Sequence, residues 1–567
     1  GLLLSFTATA APSITEQRKQ FTDAVNAFNK GDKTKFFRLE KNLKNYILYP
    51  YLRYLVLNQN LSKTDPSQHE VEKFIAAYPD SHMAEKLHTR WLNILAQRKD
   101  WTGFLAHYNP AIKHTGLDCL HRTALLNKGN RTQAFQAMET LWQTGRPLPT
   151  DCNYLVSAWK DTGRLTNELI WHRLRLALTS NEKILQQQLI ALLPSTQQSS
   201  AKKNLEIRVQ ALSLATAGDS GAARALNNVP QNVVDQTVRE WRIRTAIANS
   251  QWKHIRNAVT ALPEKERNDP AWRYWHARAT EQLGQPQEAH ALYRTLAKKT
   301  DYYGFLASAR LKEPFIYRHV GQRASEQELK QISSRAGLKR AHEFYQLKMI
   351  PLARQEWSTA IRDLSPAQLR AAAQLALKWQ WHDRSIITAA KAGLMDDITL
   401  RFPIAFRAHV ITEAEKHAID PSWIFAIMRR ESAFMSDAKS SAGAMGLMQL
   451  MPDTAKWLAR KTNMVVQHPS EVFHIEKNIS LGTRYLKEML TNNQNNLILA
   501  TASYNGGPGR IKRWLAGRPN IIADQWIESL PWIETRDYVK NVLAYTSIYD
   551  LHFGEEPNFD ICLEKIL

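Results

Sequence analysis

From about residue 14 to residue 400 the apolar side chains recur at helix spacing, with no convincing alternating run. The chain must therefore be built by packing helices on helices. Phe21, Ala24, Val25 and Phe28 keep the helical period and stop at Gly31. Met83, Leu87, Trp91, Leu92 and Leu95 do the same after the start signal Pro79-Asp80-Ser81. Gly129 with Ala134, Gly218 with Ala223 and Gly284 with Ala289 each set a helix-ending turn five residues before a small packing residue. Trp275 to Leu296 reads as helix, tight turn, helix. The spacing is too irregular for a tetratricopeptide array, but it is the grammar of helical hairpins, which stack on their neighbours into a superhelix.

A chain of 567 residues is too long for one core. The stretch 336–400 is again helical and rich in Ala, Leu and Gln, as a connecting domain would be. After Pro403 the character changes, and Gly, Asn, Met and Tyr cluster in short motifs between helices. The expected division is residues 12–335 as a superhelical domain, 336–400 as a helical linker and 401–567 as a separate C-terminal domain. Residues 1–11 read as the tail of a signal peptide. Gly1-Leu2-Leu3-Leu4-Ser5-Phe6 ends an apolar region and Ala8-Thr9-Ala10 offers a small-residue cleavage site after Ala10. An ordinary apolar N-terminus is the other reading.

The net charge of +22 calls for an acidic partner: nucleic acid, anionic headgroups or a carboxylate-bearing cell-wall polymer. Its location separates it from the C-terminal motifs. Residues 401–567 hold 19 Lys and Arg against 18 Asp and Glu, while the first 400 hold 56 against 35. The excess belongs to the helical part, either as a basic binding surface or as a merely soluble one. No run of about 20 apolar residues exists, so no membrane span is expected. Of the three cysteines, Cys119, Cys152 and Cys562, none forms a C-x-x-C, which argues against a zinc site. Cys119 and Cys152 could pair in an oxidising compartment, but the residues alone do not choose the pairing.

One carboxylate stands out. Asp420-Pro421 is a strong helix start, with Asp at the N-cap and Pro at the first helical position. Ile424, Phe425, Ile427 and Met428 form the stripe that follows, and Glu431 lies seven, four and three residues after Ile424, Ile427 and Met428. It projects from the apolar face near the helix end, while Arg429 and Arg430 point elsewhere. A desolvated carboxyl has a raised pKa and can donate a proton near neutrality. The alternative is a buried ion pair with a distant Arg.

The next motifs bear on that choice. Lys439-Ser440-Ser441-Ala442-Gly443-Ala444-Met445-Gly446-Leu447-Met448-Gln449-Leu450-Met451-Pro452 lets backbone approach a ligand, with Ser440 and Gln449 as hydrogen-bonding groups and Met451 as an apolar wall. It reads equally as tight helix packing. Ser503-Tyr504-Asn505-Gly506-Gly507-Pro508-Gly509-Arg510 is a rigid turn carrying a phenol and an amide. Glu534 opens a helix at Trp532-Ile533-Glu534-Thr535-Arg536-Asp537-Tyr538-Val539, where it could be a mere helix-start charge worth about 0.3–1 kcal/mol.

Taken in order, Glu431-Ser432-Ala433-Phe434, Gly443 to Pro452, Ser503 to Gly509 and Glu534 to Val539 resemble the soluble lytic murein transglycosylase family over about residues 401–550. The helical remainder resembles the large doughnut-shaped members, with a U-shaped superhelical domain, in length and layout. The resemblance implies a mainly α protein: an N-terminal α-superhelix of helical hairpins, a helical linker and a lysozyme-like, goose-type C-terminal catalytic domain. It implies Glu431 as catalytic acid/base and Ser440, Gln449, Met451, Tyr504, Asn505 and Glu534 as lining of a glycan cleft, with Tyr538 a weaker member. It also implies a Cys119–Cys152 disulfide. Gly507 stands where relatives have Ala or Gly.

Glycosidases ordinarily use two carboxylates. Here only Glu431 has the required context, so the resemblance implies intramolecular cleavage of the MurNAc–GlcNAc β-1,4 bond of peptidoglycan to 1,6-anhydromuramoyl ends. A goose-lysozyme-like hydrolase is the nearest rival. A basic helical scaffold for nucleic acid or protein, with an inactive C-terminal domain, is the more distant one. No EF-hand, metal-ligand cluster or phosphate loop is present, so no cofactor is expected. The expected partners are glycan strands and stem peptides and not nucleic acid, and the expected state is a periplasmic monomer.

Overall fold

The computed structural model describes residues 13–61, 68–315, 321–461, 464, 466–518 and 520–566. The leader expected at residues 1–11 lies outside them. Every regular element among the described residues is helical, and extended pairing is confined to the isolated bridges Lys439–Met445, Met445–Leu450 and Ile522–Lys565. No helix among them is long and apolar enough to cross a membrane. The chain forms two compact units.

The first unit comprises residues 1–141, 148–165 and 323–375. Its helix Ile14–Asn29 buries Phe21 and Ala24, as the period predicts, and ends just before Gly31, whose φ of +76° only glycine adopts freely. Helix His82–Gln97 is capped by Ser81 and buries Met83, Leu87, Trp91, Leu92 and Leu95. Cys119 and Cys152 are bonded to each other here, so the pairing implied by the resemblance is present. The segment from 336 onward is held by charge. Glu343 accepts from Arg18 and from the Tyr46 hydroxyl, and Arg340 reaches both Asp80 and Glu356.

The second unit comprises residues 142–147, 166–322 and 376–567. Four of its early helices matter below: α1 (Ser195–Ala217), α2 (Gln236–Ala248), α3 (Pro270–Gln282) and α4 (Tyr302–Leu311). Helix α3, the turn at Gly284 and the helix Pro286–Leu296 make the predicted hairpin, with Ala289 fully buried in it. The pattern needs one correction. After Gly218 the closely packed small residue is Ala222, 1% exposed, and Ala223 is only partly buried. The connection there, residues 218–221, is one residue longer than the connection 283–285 at Gly284.

The C-terminal helices are α5 (Pro421–Ser432), α6 (Pro452–Lys461), α7 (Ile475–Asn492), α8 (Leu497–Gly506), α9 (Pro508–Ala516), α10 (Ala523–Ser529) and α11 (Ile533–Phe553). Helix α5 is wrapped almost all round, with Trp423 to Met428 at most 1% exposed, and α11 is its principal neighbour. A helix apolar on every face has to lie in a core.

Near the start of α5 that burial has a cost. Asp550 of α11 is 8% exposed, and burial pushes its carboxyl up to about 7, with the charges of Asp420 and Glu555 acting in the same direction. The folded state therefore binds a proton that the unfolded chain has already lost, and stability falls as pH rises from about 4 to about 7. Asp550→Asn should raise the melting temperature at pH 8 and leave it nearly unchanged at pH 4, as scanning calorimetry at both pH values will show.

Candidate active site

Helix α5 delivers Glu431 to its last turn. Asp420 caps the start by accepting from the Ser422 amide at 2.8 Å, and Pro421 stands at the first helical position. The end is sharper. Ala433 and Phe434 take φ of +50° and +67°, and Ser432 ties the reversal by donating to the Leu447 carbonyl at 2.8 Å. Non-glycine residues in that region are strained, and such strain gathers at functional sites.

The Glu431 carboxyl accepts one hydrogen bond, from the Tyr538 hydroxyl to Oε1 at 2.7 Å. Among the described residues it makes no ion pair. Burial raises its pKa from the ordinary carboxylate range to about 7; the Tyr538 bond and the Arg430 charge oppose this, and the Glu534 charge adds to it. Half the molecules thus carry the proton near neutrality. Arg429 points away, as expected, donating to the Arg401 carbonyl at 2.6 Å and lying against Phe402 and Tyr545. Arg430 does not point away entirely, since its guanidinium lies 5.6 Å from the Tyr538 ring centre.

The motif residues fall into two groups. Tyr504 is buried, and its hydroxyl donates to the Met448 carbonyl at 2.8 Å. Burial and the Glu431 charge hold that hydroxyl far above its ordinary pKa, so it stays neutral. Asn505 donates to Glu534 Oε1 at 3.4 Å and accepts from the Thr535 hydroxyl at 2.8 Å, joining the glycine-rich turn to the start of α11. Ser440 and Gln449 spend their side chains inside their own loop. Ser440 accepts from the Ala444 amide at 2.9 Å, and Gln449 donates to the carbonyls of Ala438 at 3.1 Å and Gly446 at 2.8 Å. Met451 stands 43% exposed, as a surface for a ligand would.

Asn478 of α7 escaped the sequence reading. Fully buried, it donates to the carbonyls of Met445 at 3.0 Å and Val472 at 2.8 Å and accepts from the Met448 amide at 2.8 Å. It holds the small-residue loop open beside Glu431. A Cβ at Gly446, where φ is +77°, would sit 2.3 Å from its amide nitrogen. The signal was an amide in the helical stripe of Ile475 and Ile479.

Removing the Tyr538 hydroxyl removes the one hydrogen bond that favours the Glu431 carboxylate. Bonds to charged groups contribute about 1.5–3 kcal/mol, so Tyr538→Phe should raise the Glu431 pKa by about one to two units. The alkaline limb of the kcat/KM profile should move upward by that amount, which a pH series on one glycan substrate will measure.

Comparison with known proteins finds three family models on the chain. The Transglycosylase SLT domain matches residues 409–527, and the Soluble lytic murein transglycosylase L domain matches 331–398. The Soluble lytic transglycosylase helical domain matches 529–558. The soluble lytic murein transglycosylase of Escherichia coli K12 is 27% identical, over 98% of this chain and 96% of its own length. A crystal structure of the lytic transglycosylase Slt of Pseudomonas aeruginosa, in an inactive glutamate-to-glutamine variant, is 32% identical with a TM-score of 0.80, covering 97% of this chain and 100% of that one. The 70 kDa soluble lytic transglycosylase of Escherichia coli is 26% identical with a TM-score of 0.74, covering 98% and 100%. The fold and these matches define an all-helical lytic transglycosylase of peptidoglycan. The chain belongs to the soluble lytic murein transglycosylase family.

Proposed function

We propose that Glu431 is the sole general acid/base in cleavage of the MurNAc–GlcNAc β-1,4 bond, and that the product is a 1,6-anhydromuramoyl end. The observation that carries this is a carboxyl with a pKa of about 7, bonded to Tyr538 and paired with no cation among the described residues. In the first step the protonated Glu431 gives its proton to the leaving glycosidic oxygen as the C1–O bond breaks. The MurNAc acetamido oxygen shares the positive charge at C1. In the second step the Glu431 carboxylate takes the proton of the C6 hydroxyl, whose oxygen bonds to C1. No water is consumed, and the enzyme returns to its protonated form.

Tyr504 supports the charged intermediate through its neutral hydroxyl oxygen. Ser440, Gln449 and Met451 shape the glycan cleft, and Asn505 and Glu534 order its other wall. Glu534 favours a second reading, because its charge reaches Glu431 and a second carboxylate could direct a water at C1. Digestion in ¹⁸O-labelled water separates the two. The transglycosylase reading predicts no label at C1, and label there means hydrolysis.

The names of the relatives support an enzyme acting on murein; that it is a periplasmic monomer acting on glycan strands and stem peptides in cell-wall turnover is part of the same proposal. We also retain the division into residues 12–335, 336–400 and 401–567. The basic excess of the first 400 residues suits anionic strands, and binding should favour insoluble peptidoglycan over DNA at physiological salt.

A further inference from the structure

One face of α7 closes on the loop of small residues beside Glu431. Asn478, Gly482 and Tyr485 follow one another on α7 at intervals of four and three, so they share that face. The fully buried Asn478 amide donates to the carbonyls of Met445 and Val472 and accepts from the Met448 amide, which commits both of its N–H groups and its oxygen to backbone. Gly482 leaves room for the Met448 side chain, since a Cβ there would stand 2.3 Å from Met448 Sδ and 2.8 Å from Met448 Cβ. Tyr485 packs against Tyr504, with ring centres 5.1 Å apart.

These contacts converge on the Tyr504 phenol. Met448 is held at its N–H by Asn478 and offers its carbonyl to the Tyr504 hydroxyl at 2.8 Å. The preceding residue is tied as well, because the Leu447 carbonyl accepts from Ser432, the neighbour of Glu431. A phenol has a single proton to give. With that proton on the Met448 carbonyl, the Tyr504 oxygen presents only lone pairs elsewhere, and it lies close enough to feel the Glu431 charge.

A neutral oxygen that cannot turn is the group a developing positive charge needs. Preorganised dipoles stabilise such a charge because they do not reorient as it forms, and a loose one loses that advantage. The Met448 carbonyl is the only acceptor of the Tyr504 proton among the described residues, so the direction of the oxygen depends on where Met448 is held.

We propose that Asn478 is a positioning residue for the reaction: through Met448 it aims the Tyr504 oxygen at the glycosidic carbon, while Gly482 and Tyr485 steady the same phenol. The proposal rests on the role given to Tyr504 above and not on which group supplies the proton. Steady-state kinetics of the full chain on soluble, uncrosslinked peptidoglycan strands test it, with Asn478→Ala, Gly482→Ala, Tyr504→Phe and the pairs that combine them. Asn478→Ala removes the grip and leaves room for water on the freed backbone groups. Gly482→Ala displaces Met448 without removing a hydrogen bond. Each should lower kcat by about ten- to a hundredfold, as a misplacement of about 1 Å does, with KM within about twofold and the alkaline limb of the pH profile in place. In the Tyr504→Phe background either change should cost less than about twofold, because the oxygen it aims is gone. Circular dichroism melts set an assay temperature at which each variant is folded; should Asn478→Ala fail to fold, the Gly482→Ala cycle decides alone. A loss of the same size with and without the Tyr504 hydroxyl would mean that Asn478 only holds the loop, and overturns the proposal. Wild-type kcat in both single variants, or a loss confined to KM, also overturns it. Wild-type kcat in Tyr504→Phe removes the role of Tyr504 and the proposal with it, whereas a slow Tyr504→Phe beside a fast Asn478→Ala overturns the proposal alone.

Discussion

Glu431→Gln should leave the fold intact and lower the rate on cell walls by about 10²–10⁴, the usual contribution of a positioned proton donor and acceptor. The amide keeps the shape of the side chain, and its oxygen can still accept from the Tyr538 hydroxyl. What it loses is the ability to give a proton and take one back. Stability should move in the opposite direction to activity. Burial raises the Glu431 pKa to about 7, so above that pH the folded wild type carries a desolvated charge that the unfolded chain carries without penalty. The variant lacks that cost and should melt at a temperature equal to or above the wild type at pH 8. Circular dichroism melts beside turbidity assays on cell walls measure both. Wild-type turnover by the variant would remove Glu431 from the chemistry.

The second large effect concerns stability. Glu528 of α10 is 1% exposed and accepts from Lys540 at 2.7 Å, the Tyr303 hydroxyl at 2.8 Å, Arg244 at 3.2 Å and the Trp275 indole at 3.3 Å. Burial alone would raise its carboxyl pKa, but the charges of Lys540 and Arg244 outweigh that and hold it well below the usual range. Truncating one partner of such a cluster leaves the others buried and uncompensated, at a cost of about 3–5 kcal/mol. Glu528→Ala should therefore lose that much in urea titration at pH 7. A depressed pKa gives stability that is present above the unfolded value and lost as pH falls through the folded one, so the deficit should shrink only under strongly acidic conditions.

These two residues also mark how far the sequence can be read. The burial of Glu431 was legible because its signals are local: the Asp420-Pro421 start, the stripe and the three-, four- and seven-residue offsets; its expected catalytic role came instead from the resemblance carried by the motifs downstream. The helical period of residues 14–400 was legible for the same reason, down to the buried faces of the helices at Phe21 and Met83. Tyr538 was ranked below Tyr504, although Tyr538 is the one bonded to Glu431. The two partners lie 107 residues apart, and only the packing of α11 on α5 decides which phenol arrives. Glu528 was invisible because charge counts cancel. A domain with 19 cations and 18 anions looks neutral whether its charges are scattered in solvent or locked in a core. Its Arg244 partner is 284 residues away in a helix whose basic residues read as surface. Asn478 was missed because a lone amide in a helix carries no sign of the three backbone groups it will satisfy.

On the proposed mechanism a single carboxyl cleaves the glycan and lets the sugar close on itself. Mass spectrometry of the soluble products of wild-type digestion of purified peptidoglycan tests it most directly. Muropeptides with 1,6-anhydro ends, lighter by one water than the hydrolysed form, are expected from the wild type, and at least about a hundredfold fewer from a parallel Glu431→Gln digest. Reducing ends as the main wild-type product would contradict it.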